Sequence, residues 1–250
     1  MKVLMISGDR RLLDSASEAG KRLVLQRAQA EKLDVFVWPQ VHSAFSIYRA
    51  VLRTRYDVVT TQDPFWRGLV AWKCARMSGA RLNVQVHTDL EHESAPRRAL
   101  ARLVLRRADS IRVVSAAGKR AVEALGAHAP ITVLPVFIDS APFTNLSRTP
   151  HEGKTVLWIG RFEAEKDPLQ AIEVLKKIRV AISDARLVML GEGSLDRELK
   201  AAAAGLPVEF PGWRPPQEYL GAADLVLSTS PAESYGNSII EALAAGIAVV

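Results

Sequence analysis

Short apolar runs alternate with longer amphipathic stretches along the whole chain. Runs at 3–6, 35–37, 58–60, 82–86, 111–114 and 131–133 are rich in Val, Ile and Leu and too short for helices, so they read as strands. The stretches between them read as helices. The first opens at Ser15, with Glu18 three positions on, the spacing of a capping box. Such alternation predicts right-handed βαβ units around a parallel sheet. From Asp139 to Gly153 the pattern breaks into proline, glycine and small polar residues. The chain then restarts with runs at 155–159, 187–190, 208–210 and 225–227 and a last one from 247. These signals predict an α/β protein of two domains, 1–140 and 154–250, joined by a linker at 141–153.

Composition adds compartment and partners. At 250 residues and 48% hydrophobic content the chain can build two modest cores. Its single cysteine, Cys74, has no acid or histidine beside it and reads as a core residue in a reducing compartment. No apolar run approaches the ~18 residues of a membrane span. Charge is divided unevenly. Residues 1–150 carry 23 Lys and Arg against 13 Asp and Glu, so +10, and 151–250 carry 10 against 14, so −4, matching the overall +6. Arginines at 97, 98, 102, 106, 107 and 112 concentrate the positive charge around an apolar stripe of Leu100, Leu103 and Val104. A helix of that kind suits either an ordinary core-facing position or an anionic membrane surface. No aromatic residues interleave with the arginines, which argues against nucleic acid.

Chemistry concentrates in the last third. After the run at 225–227, Glu233 falls in a loop and Glu241 about one turn inside a helix stopped by Gly246. The backbone N–H groups of Gly236, Asn237 and Ser238 lie at that helix's N-terminus, which attracts anions. Carboxylates on both sides of an anion site suit a ligand with a central phosphate and hydroxyls at each end, such as a nucleotide sugar. Taken singly, the two glutamates read as solvated surface groups.

Four pieces in order resemble the signature of family 4 glycosyltransferases. They are Glu233 to Glu241 with Tyr235 and Gly236 between, Gly160-Arg161-Phe162-Glu163-Ala164-Glu165-Lys166-Asp167-Pro168, Gly191-Glu192-Gly193, and Phe210-Pro211-Gly212-Trp213. The resemblance implies two Rossmann-like domains in the GT-B arrangement. It also implies a retaining transfer of sugar from a nucleoside-diphosphate donor, UDP- or GDP-linked, to a hydroxyl of a glycan or lipid-linked acceptor. In that family the second domain continues through more strand and helix, so the resemblance implies a second domain incomplete at its C-terminus. The lone cysteine and the basic helix together lead to the expectation of a cytoplasmic protein, on the membrane's inner face if that helix docks there.

The resemblance also assigns roles. Arg161 and Lys166 would hold the donor diphosphate, where negative charge grows as the glycosidic bond breaks. Two fixed cations there, and the absence of an Asp-x-Asp triplet, imply no metal and no cofactor. Glu233 would take hydroxyls of the transferred sugar and Glu241 those of the ribose. Gly191 and Gly193 would let the backbone approach the nucleotide, while Trp213 and Arg214 would meet the base. In the first domain His87 would touch the sugar or the acceptor, with Asp63 and Asp89 as acceptor-side candidates. Gly8 stands alone where family members carry paired glycines against the donor phosphate, and the resemblance gives it that donor-binding approach. A nucleotide-sugar 2-epimerase of the same architecture and a non-catalytic nucleotide-sugar-binding protein are the alternative readings.

Overall fold

The computed structural model describes residues 1–15, 17–38, 44–231, 233 and 235–250. Ala16, inside the expected capping box, and Ala232 and Ser234, inside the acidic loop, lie outside the described residues. The chain divides into two compact units, Met1–Phe137 and Ile138–Val250.

The first unit runs β1 (Lys2–Ser7), α1 (Glu18–Ala28), β2 (Lys32–Val37), α2 (Ala44–Arg53), β3 (Val58–Thr61), α3 (Trp66–Ser78), β4 (Arg81–Val86), α4 (Ala95–Leu105), β5 (Ser110–Val113), α5 (Ala116–Ala124) and β6 (Ile131–Val133). Its sheet has the order β2-β1-β3-β4-β5-β6, parallel throughout. Sequence order reverses between β1 and β3, which makes that gap the topological switch point. One sheet face buries Leu4, Ile6, Val59, Leu82, Val84 and Ile111 against α2 to α5, with Cys74 at 0% exposure in the same core. Burial pushes the Cys74 thiol up to about 12, so it is inert packing.

Two details differ from expectation. The cap of α1 is Ser17, whose Oγ accepts the Gly20 N–H at 3.0 Å, rather than Ser15. Most of the apolar stripe on α4 faces the core, with Leu103 left exposed. Ala101, Val104 and Leu105 are buried in the core and Leu100 packs against it. The arginines then spread over the outside, Arg97 on the Phe65 ring at 3.9 Å and Arg107 on Trp72 at 4.6 Å.

The second unit runs α6 (Ala141–Thr144), β7 (Lys154–Ile159), α7 (Pro168–Ala181), β8 (Ala185–Leu190), α8 (Asp196–Ala202), β9 (Val208–Gly212), α9 (Gln217–Leu220), β10 (Leu225–Leu227), α10 (Asn237–Ala244) and β11 (Ala248–Val249). Its parallel sheet has the order β11-β10-β7-β8-β9, so the switch point falls between β7 and β10. Segment 141–153 belongs to this unit. Phe143 is 5% exposed among Leu157, Val188 and Leu220, Arg148 Nη1 donates to the Ala223 carbonyl at 2.6 Å, and the Thr149 N–H donates to the Gly221 carbonyl. One buried aromatic anchors a stretch whose prolines and small polar residues otherwise resemble a linker. The final run forms β11, a parallel edge strand with only Ile247 buried at its start. Among the described residues no helix is long and apolar enough to cross a membrane.

Candidate functional site

In the second unit the loops that leave β7 and β10 meet over the switch point. Trp158 Nε1 donates to Thr229 Oγ1 at 2.9 Å, and that hydroxyl donates to the Lys166 carbonyl at 2.9 Å. Ser230 Oγ donates to the Glu165 carbonyl at 3.2 Å. The β10 loop thus clasps the short 3₁₀ turn Ala164–Lys166. This clasp brings Lys166 Nζ into an ion pair with Glu233, each side chain 24% exposed. Trp158, Thr229, Ser238 and this pair line one shallow recess at the strands' carboxyl ends. Glu241 is the fifth residue of α10, beyond the residues that line the recess.

Arg161 stands farther out, 66% exposed, with Nη2 2.6 Å from Glu165 Oε1. Glu163, between them in sequence, accepts both the Ser194 hydroxyl at 2.6 Å and the Ser194 N–H at 3.0 Å. Those two bonds, with Arg161 nearby, hold its carboxyl below the usual carboxylate range. Ser194 opens the turn into α8, so this contact ties the β7 and β8 loops together. The resemblance gives no role to Glu163, Ser194 or Thr229, although Glu163 lies inside one of its motifs. Their roles arise only from adjacency of strand ends.

The glycines of the β8 loop have an internal cause. A Cβ on Gly191, at φ +150, would lie 1.8 Å from the Gly160 carbonyl, and one on Gly193 would lie 2.5 Å from the Phe162 carbonyl. Gly160 and Phe162 donate their N–H groups to Leu190 and Glu192, extending the β7–β8 ladder past both strands. The close approach at Gly191 and Gly193 is therefore to the chain's own backbone, which accounts for both glycines without a nucleotide. Gly212 turns at φ +80 to present Trp213, 61% exposed, and the exposed Arg214. Gly236, at φ +74, is the N-cap of α10 and supplies no capping side chain to its first turn, where Asn237 and Ser238 sit.

In the first unit the candidates share the corresponding edge and are largely engaged with their own neighbours. Ser7 Oγ donates to Gln62 Oε1 across the β1–β3 switch point. Gly8 lies against the Arg67 guanidinium, 2.6 Å from where a Cβ would stand. Asp63 is 8% exposed, accepts the Phe65 N–H at 2.8 Å and pairs with Arg67, so its carboxylate is engaged in the turn that precedes α3. Asp89 takes the Glu91 N–H at 2.9 Å and His92 Nδ1 at 2.7 Å. Burial pushes its carboxyl up, but those partners outweigh that and leave it lowered.

His87 differs. It follows the last residue of β4, and its Nε2 is buried without a hydrogen-bond partner among the described residues. Burial, then the positive charges of Arg112 and Arg22, pull the ring from an ordinary 6.5 down to about 4. The imidazole is neutral at physiological pH and holds one unused nitrogen.

Two family models cover nearly the whole chain. The model described as glycosyltransferase family 4 matches residues 10–141, and that described as glycosyl transferases group 1 matches 153–250. The chain belongs to glycosyltransferase family 4. Among curated relatives of this family 4 chain is the GDP-mannose-dependent alpha-(1-6)-phosphatidylinositol dimannoside mannosyltransferase of Mycobacterium tuberculosis. It is 37% identical over 95 residues, which is 36% of this chain and 25% of that protein. Sulfoquinovosyl transferase SQD2 of Arabidopsis thaliana is 28% identical over 82% of this chain and 44% of its own length. The chain thus spans between a quarter and under half of these relatives. Among solved structures, Anabaena HepE in complex with UDP and glucose superposes with a TM-score of 0.76 at 20% identity, covering 100% of this chain and 80% of that one. That likeness shows the fold, GT-B with two parallel-sheet α/β units.

Proposed function

We propose that this family 4 chain transfers a sugar from a nucleoside-diphosphate donor to a hydroxyl acceptor with retention at the anomeric carbon. The observation that carries the reading is the pairing of Lys166 with Glu233 at the switch point of the second unit. The carboxyl edge at such a point is where open α/β sheets take ligands. Transfer breaks the bond between the anomeric carbon and the diphosphate oxygen and forms one to the acceptor oxygen, whose proton leaves with the diphosphate. Negative charge grows on the departing phosphate, so a fixed ammonium and guanidinium lower the barrier if they sit where that charge develops. Lys166 and Arg161 are the candidates. In the unliganded protein each cation rests on a carboxylate, Glu233 and Glu165. An arriving diphosphate competes for Lys166 and frees Glu233 to accept sugar hydroxyls.

Glu241 would take the ribose hydroxyls and the first turn of α10 a phosphate oxygen. The N–H groups at Trp213 and Arg214 would face the base, and neutral His87 would hydrogen-bond the sugar or acceptor. The relative that uses GDP-mannose and the structure solved with UDP and glucose name the first donors to try. A phosphatidylinositol mannoside of the first relative's kind is the first acceptor.

The test measures GDP and UDP binding by calorimetry, with nucleotide release from GDP-mannose and UDP-glucose. Binding that disappears in Lys166→Ala, with release that quickens when acceptor is added, is the expected result. Isomerised donor sugar without release would mean an epimerase. Tight binding unchanged in the variant would remove the recess as the diphosphate site.

A further inference from the structure

We infer that Trp158 and Thr229 are positioning residues for Lys166. They fix the backbone of its turn, so that the ammonium keeps its place when a diphosphate displaces Glu233. The inference rests on the reading of Lys166 as a diphosphate-binding cation. The turn Ala164–Lys166 needs such a hold. It passes into α7 through Asp167, at φ +43 and ψ +55, the one non-glycine residue with positive φ among the described residues. A side chain in that left-handed region is strained. Pro168 adds to the strain by driving the residue before it toward extended dihedrals. The Asp167 side chain makes no capping bond to α7. Backbone in such a region persists only where its surroundings over-determine it.

The loop after β10 supplies that surrounding. Inside the turn, the Lys166 N–H donates to the Glu163 carbonyl at 2.9 Å and the Asp167 N–H to the Ala164 carbonyl at 3.1 Å. From outside, the Ser230 hydroxyl donates to the Glu165 carbonyl and the Thr229 hydroxyl to the Lys166 carbonyl. The proton order at Thr229 is unambiguous. An indole N–H only donates and a carbonyl only accepts, so the Thr229 oxygen takes the Trp158 proton and sends its own to Lys166. Each bond in such a chain polarises the next. The ring that starts the chain is tightly enclosed. Trp158 is 2% exposed and tilted against Phe162, with centroids 5.7 Å apart, and a Cβ on Gly160 would stand 2.8 Å from its edge. Leu227 pairs in register with Trp158, which sets Thr229 two residues farther on, within reach of the indole nitrogen.

One loop therefore holds Lys166 twice, by Glu233 at the ammonium and by Thr229 at the carbonyl. A ligand acts differently on the two holds. Diphosphate competes with Glu233 for the same positive charge. The carbonyl hold contains no charge for a diphosphate to neutralise, so it outlasts that exchange. A lysine ammonium rides on a flexible four-carbon stem, and its backbone sets where the stem begins. A fixed turn lowers the ordering cost of binding and keeps the cation where negative charge develops. Trp158 and Thr229 then contribute to diphosphate affinity through Lys166.

The experiment compares the wild type with Thr229→Val, which keeps the shape without the hydroxyl, Thr229→Ser, which keeps the hydroxyl, and Trp158→Phe, which removes the indole N–H. Calorimetry gives the affinities for GDP and UDP and for GMP and UMP. Thr229→Val should weaken the diphosphate that the wild type binds by about tenfold, the size of one well-placed hydrogen bond, and leave its monophosphate within about twofold. Thr229→Ser should restore the diphosphate affinity, and Trp158→Phe should weaken it by about threefold. A merely structural role would lower diphosphate and monophosphate alike. The indole N–H signal that Trp158→Phe removes from the NMR spectrum reports the bond itself. It should hold its position in Thr229→Ser and move upfield in Thr229→Val. Equal weakening of both nucleotides, or full diphosphate affinity in Thr229→Val and Trp158→Phe, would overturn the proposal. If Thr229→Val does not fold, Trp158→Phe decides by the same ratio. Lys166→Ala separates this proposal from the reading beneath it. Diphosphate binding lost there but intact in Thr229→Val refutes the positioning role alone. Binding intact in both removes Lys166 as the diphosphate cation, and a wild type that binds neither diphosphate refutes both.

Discussion

The two sheets share a topology around their switch points but fill the carboxyl edge in different ways. At the β1–β3 gap the polar groups are closed on one another. Ser7 holds Gln62, and Asp63 accepts the Phe65 N–H in the turn before α3 and pairs with Arg67. At the β7–β10 gap the charged groups pair closer to solvent. Lys166 and Glu233 form one partly exposed pair, and Arg161 and Glu165 another near solvent. The exposed Arg161–Glu165 pair is of a kind worth ~0–1 kcal/mol, so on the proposed reading an incoming diphosphate displaces it cheaply. A buried and satisfied carboxylate such as Asp63 cannot be diverted without loss of stability. On the proposed reading, equivalent positions in the same fold serve structure in one unit and ligand exchange in the other.

The largest test of this contrast lies in the second unit. Replacing Lys166 or Arg161 by alanine in a catalytically active form of the protein should lower turnover by roughly two to three orders of magnitude while melting is preserved. Lys166 should cost more, being the less exposed. Normal steady-state rates in both variants would leave the two edges functionally alike.

Next comes the loop that supports the site. Gly191→Ala places a Cβ 1.8 Å from the Gly160 carbonyl at φ +150 and should destabilise the second unit by about 2–4 kcal/mol in chemical denaturation. An undisturbed midpoint would show that the β7–β8 extension is dispensable.

His87 gives a pH test of comparable size. Its folded titration near 4 lies below the ordinary 6.5, so the unfolded chain takes up the proton first. Stability is then full above pH ~6.5 and falls as pH drops toward ~4, by up to about 3 kcal/mol in total. His87→Gln should flatten that portion of the stability profile. A wild-type profile no steeper than the variant's would refute the buried neutral ring.

The smallest effect is reserved for Asp63. Asp63→Ala leaves the Phe65 N–H and Arg67 without their acceptor and should cost about 1–3 kcal/mol of stability. Turnover per folded molecule should change little. A drop in rate of more than about tenfold at unchanged stability would return Asp63 to the acceptor site.

Much of this was legible from residue order. The parallel α/β class, the restart near residue 154 and the placement of Glu233 in a loop and Glu241 in a helix follow from period and from glycine stops. The helix start at Ser17, the inward face of the α4 stripe and the anchoring of 141–153 by Phe143 did not. Each depends on which neighbour a side chain meets, and local composition does not carry that information.

Sequence by itself determined the elements, because strand and helix periods are local and repeat every few residues. It also supplied the cations and carboxylates that a diphosphate ligand calls for. Only the tertiary structure decided which of them meet. Lys166 and Glu233 are far apart in the chain and become partners because β10 pairs with β7 instead of β9. The same holds in the first unit, where register between β4 and β5 sets Arg112 beside Gln85 and leaves His87 facing positive charge. Strand order is a global outcome of burying two apolar faces at once, so the electrostatics of both edges emerge only when the sheets are assembled.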